Sequence, residues 1–100
     1  MRVALPHQLD REEVRRRMRD HAHEIADYFP AGLATIDTAW PSEDRMDLTV
    51  HVVGKAVQGG VEIEDDQVFI EIDLPPALGF LRGVVERSVK NEGTRLLEKK

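Results

Sequence analysis

The chain has 100 residues, a formal charge of −5 and no cysteine, which fits one domain (1–100) around one modest core. The missing cysteines exclude a disulfide framework, a thiolate metal site and a cysteine nucleophile, and they suit a reducing compartment. The acidic balance argues against nucleic-acid binding by a whole-domain positive field, and no apolar run approaches the roughly 18 residues that span a bilayer.

Arg2 to Leu5 alternates, with Val3 and Leu5 on one face, and predicts a short first strand stopped by Pro6. Ahead of it lies no signal-peptide core, so a cytoplasmic, non-transmembrane protein is expected. Asp10 with Glu13 forms a capping-box pattern, and Leu9 with Val14 has the spacing of a hydrophobic staple. Val14, Met18, Ala22, Ile25 and Phe29 then step by four, four, three and four, which predicts one helix stripe ended by Pro30 and Gly32.

From Ala34 the period becomes two. Ile36, Thr38 and Trp40 share a face, and Pro41 to Asp44 reads as a turn. Met46, Leu48, Val50 and Val52 alternate with polar neighbours as a half-buried strand, and Gly54-Lys55 suggests a tight hairpin. Val57, Gly59, Val61 and Ile63 form the next inward face, with Gly59-Gly60 marking a bulge or a close backbone approach. Asp65-Asp66 turns the chain into Val68, Ile70, Ile72 and Leu74, and Pro75-Pro76 closes the strand region. Ala77 to about Leu97 predicts a last helix with Leu78, Leu81, Val85, Val89, Glu92 and Leu96 near one stripe, broadened by Phe80 and Val84.

Strand, helix, four strands, helix indicates an α+β fold. Short connections predict a four-stranded antiparallel meander in a single sheet layer. Both helices are expected on one face, a shortened helix-grip-like arrangement. On the other face Trp40, or Phe69 and Val53, are expected to leave an apolar area.

Chemistry-bearing residues are sparse. Arg11, Arg15 and Arg19 share a helix face, either as a solvated face or as an anion-binding patch, and Glu12–Arg16 and Glu13–Arg17 are favourable i,i+4 pairs. His21 and His23 stand two apart and cannot chelate together from one helix, so a metal site would need His7 or His51 brought in by folding. Ser42 and Ser88 lie in no nucleophile motif. Glu62 with Glu64 and Glu71 with Asp73 read as a charged outer sheet face. No catalytic residue, cofactor or metal is predicted. His7, in the joint between Pro6 and the helix, reads first as a peg whose ring hydrogen-bonds a backbone group at the helix start or a neighbouring strand.

With these features placed, the chain resembles a family of small bacterial polyhydroxyalkanoic acid system proteins, also called polyhydroxyalkanoate granule-region proteins. Pro6-His7-x-Leu9 opening a charged helix carries the resemblance, together with Trp40 before a turn and an alternating strand and the glycines within Val57 to Val61. So do "VFIEIDLP" (Val68 to Pro75) and a last helix from "ALGFL" to "LLEKK". The resemblance implies association with polyester storage, and no catalytic residue carries over from the family; Pro6 and His7 serve as family markers. The expected function is a non-enzymatic accessory protein whose partners are the granule surface or granule proteins. Arg11, Arg15, Arg19, Trp40, Phe80 and Val84 are the candidate contacts, and a homodimer is expected. The alternative is a small apolar-ligand binder of hydroxyacyl type, with a pocket between the C-terminal helix and the sheet. Enzymatic activity is the least expected and would need His7 as a base.

Overall fold

A computed structural model describes residues 1–24, 34–52 and 54–98. The elements are β1 (Arg2–Pro6), α1 (Arg11–His21), β2 (Ala34–Ser42), β3 (Arg45–Val52), β4 (Lys55–Ile63), β5 (Gln67–Asp73), a 3₁₀ segment (Pro76–Leu81) and α2 (Arg82–Leu96). The five strands form one antiparallel sheet in the order β1-β5-β4-β3-β2. Strands β2 to β5 are the meander, and β1 closes the far edge by pairing Val3 with Ile70 and Leu5 with Val68.

Alternation sends one side chain in two to a single face, and both helices cover that face. Val3, Leu5, Met46, Leu48, Val50, Val52, Val57, Val61, Ile63, Val68, Ile70 and Ile72 are buried there. Val14 and Met18 come down from α1, and Leu78, Leu81, Val85, Val89 and Leu97 from the last segment. A fully buried side chain of this kind contributes about 2 kcal/mol.

Asp10 caps α1 by accepting from the Glu13 amide at 2.8 Å, as the capping-box pattern requires. The α-helix itself stops at His21 and passes into a 3₁₀ turn at residues 22–24. The predicted stripe residues Ile25 and Phe29, and the stops Pro30 and Gly32, lie outside the described residues, as does Val53.

Several expectations are corrected. Pro41 and Ser42 belong to β2, and the turn narrows to Glu43-Asp44. Pro41 sits within a register shift between Ala39 and Ser42 on an edge strand, where a missing N–H costs no ladder bond. Val52 pairs with Lys55, so Lys55 already belongs to β4, and the positive φ of 75° falls on Gly54. The register through Gly59-Gly60 is unbroken, and of the two sequence alternatives the close approach is the one present.

The last helix does not begin as an α-helix. Pro75-Pro76 starts a 3₁₀ segment in which the Leu78 amide bonds the Pro75 carbonyl at 2.8 Å. In a 3₁₀ turn residues three apart eclipse, which puts Leu78 and Leu81 on one side. The α-helical steps of four then run through Val85, Val89, Gly93 and Leu97, so the buried position is Gly93 and Glu92 is exposed. A Cβ at Gly93 would stand 2.4 Å from Leu5 Cδ1; the glycine is what lets α2 lie close on β1.

Trp40 is not on the outer face. It packs against the core on the helix side, with the Arg19 guanidinium 4.8 Å from its ring centroid. Phe69 is on the outer face, half-buried beneath Arg2 at 4.1 Å.

Candidate functional site

The arginine face of α1 is largely consumed by the fold. Arg11 donates to Asp44 at 2.7 Å and to Asp65 at 2.6 Å, and Arg15 donates twice to Asp44, at 2.8 and 3.0 Å. Asp44 sits in the β2–β3 turn and Asp65 in the β4–β5 turn, so two arginines tie the start of α1 to two turns of the sheet. Arg15, with Arg11 in second place, holds the Asp44 carboxyl below the usual carboxylate range. Arg17 reaches the other way and donates to the Leu96 carbonyl at 2.8 Å and the Glu98 carbonyl at 2.7 Å, capping the end of α2.

Of the two predicted helix pairs, Glu13–Arg17 forms at 2.8 Å. Arg16 turns instead to Glu13, at 2.6 Å, and to Asp20. Arg16 first, and Arg17 after it, lower the Glu13 carboxyl from 4.5 to about 2. A depressed folded-state value means that the unfolded chain binds the extra proton. The stabilisation is therefore complete above about 4.5 and fades as the pH falls toward about 2. The urea midpoint is expected to drop over that window, and Glu13→Gln to flatten the drop; a variant curve parallel to the wild type would remove Glu13 as its source. Glu13 is half-exposed, so added salt trims the effect.

His7 is only 7% exposed, and both ring nitrogens are used. Nδ1 accepts from the Leu9 amide at 3.1 Å, so Nε2 carries the proton and donates to the Glu64 carbonyl at 2.9 Å. Its backbone amide donates to the Asp66 carbonyl at 3.0 Å. The ring therefore spans the helix start and the β4–β5 turn, with no nitrogen left for a substrate proton. His21 pairs with Glu24, and His51 with Asp37 across β2 and β3 at 3.0 Å.

A cleft of about 630 Å³ lies between α1 and α2, with Val61 and Ile70 as its floor and Met18, Ala22, Gly93 and Leu96 on its walls. It lies between the two helices above the sheet, rather than between the C-terminal helix and the sheet alone. Its rim arginines, Arg16, Arg17 and Arg95, are each paired with a carboxylate.

The opposite holds at the start of the last helix. Phe80 is 78% exposed and Val84 46%, the large apolar side chains left in solvent among the described residues. They stand four apart across the junction of the 3₁₀ segment and α2, while Leu78, Leu81 and Val85 face the core. Gly79 and Gly83 have open space where a Cβ would be, so Phe80 projects from low surroundings. The signal in the sequence is a run with more apolar residues than one helix stripe can bury. Neighbouring Arg82 and Arg87, both exposed, are not marked by residue spacing; their importance appears only once the pairing of the other arginines is known.

Among the described residues no helix is long and apolar enough to cross a membrane. Comparison with curated proteins and with solved structures found no match. Comparison with protein families found one that covers residues 1–97, nearly the whole chain, in line with the order of Pro6-His7, Trp40, the β4 glycines and the "VFIEIDLP" strand. The chain belongs to the family described as "Putative polyhydroxyalkanoic acid system protein".

Proposed function

We propose that the protein is a non-enzymatic accessory of polyhydroxyalkanoate storage that works at the granule surface in the cytoplasm. The observation that carries this reading is the Phe80–Val84 projection, the large apolar side chains left in solvent among the described residues. Family membership supplies the polyester context. The tethering of Arg11, Arg15 and His7 within the fold supports a structural use of those residues over a catalytic one.

In polymer-accumulating cells a fluorescently tagged wild-type protein is expected to ring the granules, and Phe80→Asp to spread through the cytoplasm. Because Phe80 lies outside the core, the variant keeps its fold, checked by circular dichroism. A diffuse wild-type signal would sink the reading. Granule association unchanged by Phe80→Asp would move the contact away from this face and leave the α1–α2 cleft as the place to look.

A further inference from the structure

Every arginine in the described residues except two is already engaged. Arg11, Arg15, Arg16, Arg17, Arg45 and Arg95 hold carboxylates, and Arg2 and Arg19 lie over Phe69 and Trp40. The two without a carboxylate or ring among the described residues are Arg82 and Arg87, and both flank the Phe80–Val84 projection. Arg87 follows Val84 by three and so shares its side of α2. The same stretch is also cleared of negative charge: from Leu74 to Val85 there is no carboxylate, in a chain with 19 of them. The first one beyond, Glu86, is taken by Lys90 at 3.4 Å. Exposed apolar side chains, two flanking cations, and a single acid within the segment that is already held by Lys90 are the parts of an interfacial anchor for an anionic amphiphile surface.

We infer that the segment from Pro75 to Arg87 docks on a lipid-like monolayer of anionic headgroups, with Phe80 and Val84 inserted and Arg82 and Arg87 on the headgroups. The inner side of the segment is held in the core by Leu78, Leu81 and Val85, so it lies on such a surface and does not enter it end-on. A second copy of the chain suits this face poorly. One phenylalanine and one valine expose far less than the about 800 Å² per partner that a standard interface buries, and two such faces would bring four arginines together. Among the described residues the sheet ends in β1 and β2, and such edge strands are a better seat for self-pairing. The inference rests on the granule reading only for where in the cell such a surface is met.

The test is flotation of the whole protein with vesicles of phosphatidylcholine alone and of phosphatidylcholine mixed with phosphatidylglycerol. Wild type is expected to float with the anionic vesicles, and to come off as salt is raised. Phe80→Asp is expected to weaken binding about tenfold or more, and Arg82→Gln with Arg87→Gln about thirtyfold while flattening the salt dependence. Circular dichroism checks that each variant is folded, and Phe80→Ser replaces Phe80→Asp if that variant is not.

Equal binding to both vesicle types, no binding to either, or full binding by folded Phe80 variants overturns the inference. So does a dimer in sedimentation velocity that Phe80→Asp dissolves, since it gives the face to a second copy. Floating with anionic vesicles but ignoring granules in cells removes the granule reading and leaves this one standing. Ringing the granules without floating on any vesicle does the reverse.

Discussion

Gly59→Ala is expected to cost about 2–3 kcal/mol, a large share of the roughly 5–15 kcal/mol that holds a domain together. Ordinarily alanine in a strand interior gains about 0.5–1 kcal/mol over glycine. Here a Cβ on Gly59 would stand 2.3 Å from the Glu71 carbonyl oxygen, with Leu48 Cδ1 at 3.2 Å behind it. The clash is with backbone of β5, which cannot swing away, so β4 and β5 must separate and loosen the ladder around Ile70 and Ile72.

Gly60→Ala is the control. A Cβ there would meet the Arg45 guanidinium at 2.2 Å, the far end of a side chain. Arg45 can move off, loosening its contacts with Asp47, Glu62 and Glu71 on the outer face, for about 1 kcal/mol. Urea unfolding followed by Trp40 fluorescence, the one tryptophan of the chain, reads both variants. Gly59→Ala matching wild type, or Gly60→Ala proving the worse of the two, would show that the close approach of β4 to β5 is not what the glycine serves.

His7→Ala is expected to cost about 3 kcal/mol. It strips partners from the Leu9 amide and the Glu64 carbonyl and leaves a cavity at a site only 7% exposed. Graded replacements separate the two bonds. Glutamine can place its amide nitrogen near the Nε2 position and keep the Glu64 bond. Asparagine can place its oxygen near Nδ1 and keep the Leu9 bond. Each is expected to recover part of the loss, about 1–1.5 kcal/mol. Granule association of the folded variants should follow wild type. If glutamine and asparagine are fully stable yet the protein fails in polymer-accumulating cells, His7 has a chemical role and the peg account falls.

The strands were legible because alternation is local: Met46 to Val52 and Val68 to Ile72 announce their buried face residue by residue. The start of α1 was legible for the same reason, since the cap and its partner are three apart. What sequence spacing could not give is contact between distant segments. Arg11 and Arg15 look like an anion patch until folding brings Asp44 and Asp65 to them across sequence gaps of 29 to 54 residues. The stripe of the last segment holds through Leu78, Leu81, Val85 and Val89, and departs only past Val89, where the helix steps by four to Gly93 and Leu97 and not by three to Glu92. The glycine itself is buried for want of bulk rather than for hydrophobicity. Phe80 and Val84 were visible as surplus apolar residues, but their exposure depends on which side the core claims.

The pairing of the first strand with the last has a consequence for how the chain acquires this shape during synthesis. Met1 and Ile72 exchange backbone bonds across 71 residues, and at about 5–20 residues per second a ribosome needs several seconds to bring β5 out after β1. Through that interval Val3 and Leu5 have no strand to join, and Val14 and Met18 wait for β4 and β5 as their floor. The β1 edge of the sheet can therefore close only after β5 has left the ribosome, whereas the β2–β3–β4 pairings need only neighbouring strands.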